Sequence, residues 1–145
     1  MVIIGGYSMD ITKYPQFQLY LLTIHLLILK NQLIPKNCDE RCINSTIINR
    51  AYFSSYLFCE LWLEDVKNFK PVPIKEFGEN EKIISEHLQV RNALENFGQN
   101  RVRNDLAKLA GLRKKADYDP FRDLTSDDVS DAIGYMEKIF SHLKF

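Results

Sequence analysis

The chain has 145 residues, with 19 lysines and arginines and 19 aspartates and glutamates, so its formal net charge at pH 7 is zero. A chain of this length can bury the core of one ordinary domain without disulfide or metal cross-links. Zero net charge excludes a protein that coats nucleic acid through its overall positive field, and any polyanion must therefore bind at a local patch. The three cysteines cannot all pair with one another, and reduced thiols in the cytoplasm are the expected state.

The N-terminal part of the chain predicts a flexible arm over residues 1–13 and one long apolar helix. This first helix is expected from about Pro15 to Asn31 or Gln32. Its central run, 19–29, is almost wholly apolar, but it is shorter than the ~20 residues of a membrane span and no cleavage site follows it. We therefore predict a buried core helix in a soluble cytoplasmic protein that does not bind a membrane.

Two further helices are predicted on either side of a connection that contains Pro71 and Pro73. The second helix runs from Arg41 or Ser45 to Asn68, because its apolar and small residues recur at steps of three and four. The third runs over about residues 80–97 and carries a similar stripe.

Isolated polar residues on these helices have two interpretations each. Arg50 is either a solvated cation or a partner for Asp117 or for an anion such as RNA phosphate. His87 and Arg91 are four residues apart and either meet a phosphate from one helical face or form the polar edge of that face. His25, on the apolar first helix, is more typical of a packed histidine than of a ligand.

The last two helices complete the predicted fold. The fourth is expected from Gln99 to Tyr118, and the fifth begins at a capping box formed by residues 125–128. The fourth helix is locally basic, and its candidate RNA contacts are Arg101, Arg103, Lys114 and Lys115. Five helices without strand alternation predict an all-α, antiparallel up-and-down bundle in one domain spanning residues 1–145.

The densest polar cluster lies at the predicted end of the fourth helix, over residues 109–120. Arg113 and Asp117 are four residues apart on one side of the helix, where an ion pair can form. A carboxylate near the negative end of a helix dipole is unfavourable. Such a conflict is typical of functional or specially paired positions, although ordinary helix termination also accounts for these residues.

The cysteines do not predict a metal centre. Cys38 and Cys42 are followed by no second pair of ligands at a metal-site interval, and Cys59 lies among large apolar residues. We therefore predict no metal and no cofactor.

Two segments together resemble the HEPN superfamily of small helical domains (higher eukaryotes and prokaryotes nucleotide-binding). The segment Asn49-Arg-Ala-Tyr-Phe-Ser-Ser-Tyr-Leu-Phe-Cys-Glu-Leu-Trp-Leu63 is similar to the family's second helix, where an Arg-Ala-Tyr-Tyr/Phe sequence is common. The segment Leu112-Arg-Lys-Lys-Ala-Asp-Tyr-Asp-Pro120 is similar to the Arg-x-x-Ala-Asp-Tyr ending of its fourth helix. The resemblance covers about residues 15–143.

The resemblance implies a helical bundle that dimerises, and metal-independent ribonuclease activity of the kind found in toxin–antitoxin, CRISPR and phage-defence systems. The family's motif is an arginine, four to six residues and a histidine, and two such motifs face one another across a dimer cleft. Arg113 matches the arginine, but Tyr118 stands where the shortest form of the motif has its histidine. An imidazole could come only from elsewhere, from His87 or His142.

Three hypotheses of function follow. The first is a HEPN-type RNA-directed protein of toxin–antitoxin or phage-defence kind, which binds RNA, with or without cleavage, in a homodimer cleft; Arg113, Asp117 and Tyr118 are its candidate catalytic residues. The second is a non-catalytic HEPN-like scaffold that dimerises and binds a protein partner, such as a nucleotidyltransferase antitoxin or another defence component. The third is a helical adaptor unrelated to nucleic acid, which would expose an apolar patch.

Overall fold

Five α-helices dominate the part of the chain that the structure describes. The structure is a computed structural model, and it describes residues 2–4, 7–9, 11–36, 39–73, 78 and 83–145. The helices are α1 (Pro15–Leu33), α2 (Glu40–Lys67), α3 (Glu86–Asn96), α4 (Asn100–Tyr118) and α5 (Ser126–His142). The prediction of an all-α bundle of about five helices is confirmed.

A short hairpin precedes the helices, where we had expected an arm without strands. Strand β1 (Val2–Ile4) pairs antiparallel with β2 (Tyr7–Met9). Valine and isoleucine favour extended backbone, which is the physical reason for a strand at this position. One-turn 3-10 helices follow at Ile11–Lys13 and, after α1, at Ile34–Lys36.

Helix α2 is the centre of the bundle, since it packs against each of the other four helices. Its buried side chains cover a broad arc rather than a narrow stripe, so one helix can serve several neighbours. Phe58 stacks on Phe140 of α5 with the ring centroids 4.0 Å apart. The hydroxyl groups of the buried Ser54 and Ser55 donate to the carbonyl of Ala51, which satisfies them inside the core.

Side-chain caps determine where three helices begin. The carboxylate of Asp39 accepts a hydrogen bond from the first turn of α2 at 2.8 Å, and Ser85 caps α3. Thr125 and Asp128 form the predicted capping box, each side chain bonded to the other's backbone N–H.

The predicted start of α3 is wrong. We expected this helix from about residue 80, but residues 83–85 are not helical and the helix begins at Glu86. Ser85 accepts the backbone N–H of Leu88 and so fixes the first turn after it. Residues 79–82 lie outside the described part of the chain.

Helix α1 lies on the outside of the bundle rather than in the core we predicted. Its exposed apolar side chains are Leu22, Ile28 and Leu29. Apolar residues occur on all sides of this helix, so its contact with α2 covers only part of them. By length and composition alone, the segment Pro15–Lys36 is apolar enough to cross a membrane, a test that core helices of soluble proteins also pass.

Two basic residues join the ends of the helices. Lys30 of α1 is buried, and its Nζ lies 3.4 Å from Glu40 of α2 and 3.4 Å from the hydroxyl of Ser126 in α5. Arg41 of α2 donates to the carbonyl of Asp119 at 2.7 Å, directly after α4. Arg41 thereby satisfies backbone acceptors beyond the end of α4, the helix that carries Arg113.

Candidate functional site

Arg113 of α4 lies across two aromatic rings of α2. Its guanidinium carbon is 5.0 Å from the ring centroid of Tyr52 and 4.6 Å from that of Phe53. The Nε atom donates to Asp117 Oδ2 at 3.1 Å, in the ion pair that the four-residue spacing predicted. These two charged side chains are 23% and 24% exposed, so the guanidinium is held against the rings and still reaches solvent.

Asp117 has a second partner that resolves its conflict with the helix dipole. The side-chain amide of Asn49, on α2, donates to both carboxylate oxygens at 3.2 and 3.1 Å. A carboxylate near the negative end of α4 is therefore compensated by one cation and one amide. The pair fixes the position of Arg113 relative to α2.

His87 of α3 completes this cluster from a third helix. The hydroxyl of Tyr52 lies 2.6 Å from His87 Nδ1, and the imidazole packs against the Tyr56 ring at 4.2 Å between centroids. Tyr52 is 3% exposed, and it is the residue that joins His87 to the face on which Arg113 lies. We use the name Arg–Tyr–His site for Arg113, Tyr52 and His87 together with Asn49 and Asp117.

The electrostatics of the site favour neutral forms of both titratable rings. Burial lowers the pKa of His87, and the positive charges of Arg113 and Arg91 lower it further, against the opposing effect of Glu86. Burial raises the pKa of Tyr52, although the charge of Arg113 and its side-chain hydrogen bond oppose this rise. At neutral pH a phenol and an uncharged imidazole therefore share the short hydrogen bond.

A neutral imidazole at this position can act as a proton acceptor. When Nδ1 carries the hydrogen and donates to the Tyr52 oxygen, Nε2 of His87 has a free lone pair. When Tyr52 donates to Nδ1 instead, Nε2 carries the hydrogen and becomes a donor. The hydroxyl of Tyr52 can serve either arrangement, so the contact positions the imidazole without fixing its role.

Several predicted site residues lie away from this cluster. Tyr118, the last residue of α4, is 75% exposed, and Arg50 is exposed on α2. His142 is exposed near the end of α5, where its Nδ1 lies 2.9 Å from the carbonyl of Lys138. Of the two histidines proposed as substitutes for the motif histidine, His87 is the one that shares a neighbour, Tyr52, with Arg113.

The predicted RNA contacts of α4 differ in their surroundings. Arg101 and Lys114 are exposed. Lys115 is paired with Asp128 at 2.7 Å; burial opposes ionisation of this carboxyl, but hydrogen bonds from Lys115 and Thr125 lower its pKa. Arg103 lies 3.8 Å from Glu95 and donates to Asn104 at 3.0 Å. Two cations are thus engaged within the protein and two are directed to solvent.

No group of three or more histidine, cysteine, aspartate or glutamate side chains that could hold a metal ion occurs among the described residues. Cys42 is exposed, and burial raises the pKa of the Cys59 thiol. Cys38 lies outside the described residues.

The sequence contained a signal for the missed members of the site. Asn49, Tyr52 and Phe53 are spaced by three and four residues, which places them on one face of α2.

Comparison of the chain with models of protein families, with curated proteins and with solved structures gave no match. The fold and site define an all-α bundle in which an arginine, a tyrosine and a histidine from three helices meet.

Proposed function

We propose that this protein is a cytoplasmic, HEPN-type RNA-directed protein of toxin–antitoxin or phage-defence kind, and that the Arg–Tyr–His site cleaves RNA without a metal ion. The observation that carries the proposal is the 2.6 Å contact between Tyr52 and His87 beside Arg113. It supplies an imidazole near the arginine that matches the family motif. The imidazole comes from α3 instead of the end of α4, so Tyr118 is not needed as its replacement.

In the proposed reaction, Arg113 binds a non-bridging phosphate oxygen and His87 accepts a proton. The 2′-hydroxyl of the ribose loses its proton to Nε2 of His87, the 2′-oxygen bonds to phosphorus, and the bond from phosphorus to the 5′-oxygen breaks. A water molecule protonates the leaving 5′-oxygen, and the imidazolium returns its proton to the resulting hydroxide. The products are a 2′,3′-cyclic phosphate and a 5′-hydroxyl.

The site has physical features that suit this reaction. The lowered pKa of His87 keeps its imidazole uncharged and able to accept a proton at neutral pH. The fork of Arg113 presents several donors to a phosphate, and Asp117 engages it through Nε. In the proposed homodimer, exposed Arg101 and Lys114 guide the RNA strand toward the site.

The test is cleavage of mixed RNA in the presence of a chelator, with matched variants. We expect His87→Ala to lower the rate by about 100- to 10,000-fold, the usual contribution of a general acid or base, and Arg113→Ala to abolish cleavage. The exposed His142→Ala and Tyr118→Phe serve as controls and should leave the rate unchanged. Equal rates for His87→Ala and His142→Ala would overturn the proposed mechanism, provided that circular dichroism shows both variants folded.

A non-catalytic scaffold is the second candidate, and the surface of α1 favours it. Leu22 and Ile28 are 48% and 62% exposed, and Leu29 is 42% exposed. In this function Arg113 and Asp117 only satisfy one another, and the apolar face of α1 contributes to the dimer or to binding of an antitoxin or defence protein. Absence of cleavage and of salt-sensitive RNA binding, together with a dimer that Ile28→Glu disrupts in sedimentation experiments, would favour the scaffold.

A further inference from the structure

Arg91 lies on α3 one turn after His87, and one of its donors has an unusual environment. The Nε atom is shielded from solvent and has no hydrogen-bond partner among the described residues. Buried donors of this kind are rare in folded proteins because an unpaired polar group is unfavourable away from water. Within the described part of the chain, Arg91 therefore lacks at this atom the hydrogen bond that folded proteins usually provide.

The carboxylate that follows Arg91 by one helical turn is not paired with it. Glu95 lies four residues after Arg91, at the spacing of a helical ion pair, but its carboxylate lies 3.8 Å from the Nε of Arg103 on α4. No ion pair of Arg91 occurs within the ranges that the structure describes. The positive charge of Arg91 is thus left to act on its other neighbours.

Arg91 and Arg113 act on the same two side chains from two different helices. Burial is the largest cause of the pKa shift of each ring: it lowers the pKa of His87 and raises that of Tyr52. The charges of both arginines lower the pKa of His87 further, and they oppose the rise in the pKa of Tyr52. Arg113 reaches Tyr52 from α4, and Arg91 shares a face of α3 with His87. Arg91 and Arg113 thus make the region around these two uncharged rings positive. Of the two arginines, Arg113 is paired with a carboxylate and Arg91, among the described residues, is not.

We propose that Arg91 and Arg113 together form an anion site that holds one phosphodiester group beside His87, each guanidinium binding one non-bridging oxygen. This inference rests on the proposed function and adds to it the residue that binds the second oxygen. Guanidinium groups from two separate helices constrain the orientation of a tetrahedral phosphate more than one guanidinium does. Arg91 is thereby assigned as a substrate-binding residue.

An anion in this site has a measurable effect on His87. Its negative charge offsets the positive charges of Arg91 and Arg113 that disfavour the imidazolium, so we expect a bound anion to raise the pKa of His87. Tyr52 and Tyr56 from α2 contact this imidazole, and the charges that act on its pKa are those of Glu86 and Arg91 from α3 and Arg113 from α4. Glu86 is the only carboxylate in that set, and it acts in the same direction with or without the anion.

The experiment is an NMR titration of His87 in the full chain, with sulfate as the probe. Sulfate is a tetrahedral dianion throughout the pH range of a histidine titration, and chloride at equal ionic strength provides the reference. We expect a saturable rise in the pKa of His87 with sulfate. Arg91→Gln should raise this pKa without sulfate and weaken sulfate binding about 10- to 100-fold, as expected for the loss of a charged hydrogen bond.

Two variants control this experiment. Arg122→Gln removes the same charge from an arginine whose side chain is 69% exposed, and it should leave the sulfate response unchanged. Arg91→Lys retains the charge without the planar fork and should bind sulfate with intermediate affinity. It replaces Arg91→Gln in the test if the Gln variant is unstable. Thermal unfolding of each variant shows whether a lost response reflects a lost fold.

The outcomes separate this inference from the proposed function. No saturable response in the unmodified protein, or an unchanged response in Arg91→Gln, would overturn the two-arginine site. RNA cleavage that depends on His87 and Arg113 but not on Arg91 would also overturn it and retain the proposed function. An intact sulfate response in a protein that does not cleave RNA would support the anion site and refute the ribonuclease activity.

Discussion

Replacement of Tyr52 by phenylalanine removes one hydroxyl group from the middle of the Arg–Tyr–His site and leaves the ring in place. Tyr52 is 3% exposed, and its hydroxyl is 2.6 Å from Nδ1 of His87. The substitution deletes this hydrogen bond and leaves Nδ1 without that partner, which destabilises a protein by about 1–3 kcal/mol. For a chain of this size each 1 kcal/mol lowers Tm by about 3 °C, so Tm should fall by about 3–9 °C.

A double-mutant cycle in denaturant isolates this contact. We would measure the free energy of unfolding of the unmodified protein, Tyr52→Phe, His87→Gln and the double variant. The coupling energy between the two positions should be about 0.5–1.5 kcal/mol, because the double variant has no hydrogen bond left to lose. Tyr135→Phe is the matched control, since the ring of Tyr135 contacts Lys108 and Lys138 through cation–π interactions that the substitution retains.

Additive effects of Tyr52→Phe and His87→Gln would refute the reasoning, since residues that share a hydrogen bond must show coupling. Equal destabilisation by Tyr52→Phe and Tyr135→Phe would refute it as well. Tyr135 is only partly buried, so we expect removal of its hydroxyl to change the free energy of unfolding by less than about 0.5 kcal/mol. Either result would place the imidazole of His87 away from the phenol, and the proposed proton acceptor would lose its orientation.

Two further predictions concern pH and helix capping. The pKa of folded His87 lies below its unfolded value near 6.5. The free energy of unfolding should therefore fall as pH drops below that value. His87→Gln should reduce this acid dependence, which denaturant titrations at several pH values measure. Thr125→Ala removes half of the capping box of α5 and should lower the free energy of unfolding by about 0.5–2 kcal/mol, whereas the exposed Ser130→Ala should change it little.

The helix boundaries could be predicted where local signals exist. Pro15 marked the start of α1, and Thr125 with Asp128 marked that of α5, because a proline or a capping box acts within one turn. The start of α3 was misplaced because the apolar residues before Ser85 continue a helical pattern that the cap interrupts. The position of α1 could not be predicted, since an apolar helix carries no information about how many neighbours cover it.

In the site, too, the sequence predicts contacts within one helix but not contacts between helices. The pair of Arg113 and Asp117 follows from four-residue spacing within one helix. The amide of Asn49 reaches Asp117 across 68 residues of sequence, and Tyr52 reaches His87 across 35. Such contacts depend on how α2 packs against α3 and α4, which no spacing in a single helix determines.

The ion pair of Arg113 with Asp117 suits a scaffold, but it is also compatible with phosphate binding. Asp117 engages the guanidinium through Nε, and the planes of Tyr52 and Phe53 lie beneath it. An arginine fixed in this way has already lost most of its side-chain freedom, so binding an anion requires less further ordering. A carboxylate that orients a cation thus serves a binding site, and the titration state of His87 beside it reports whether an anion is bound.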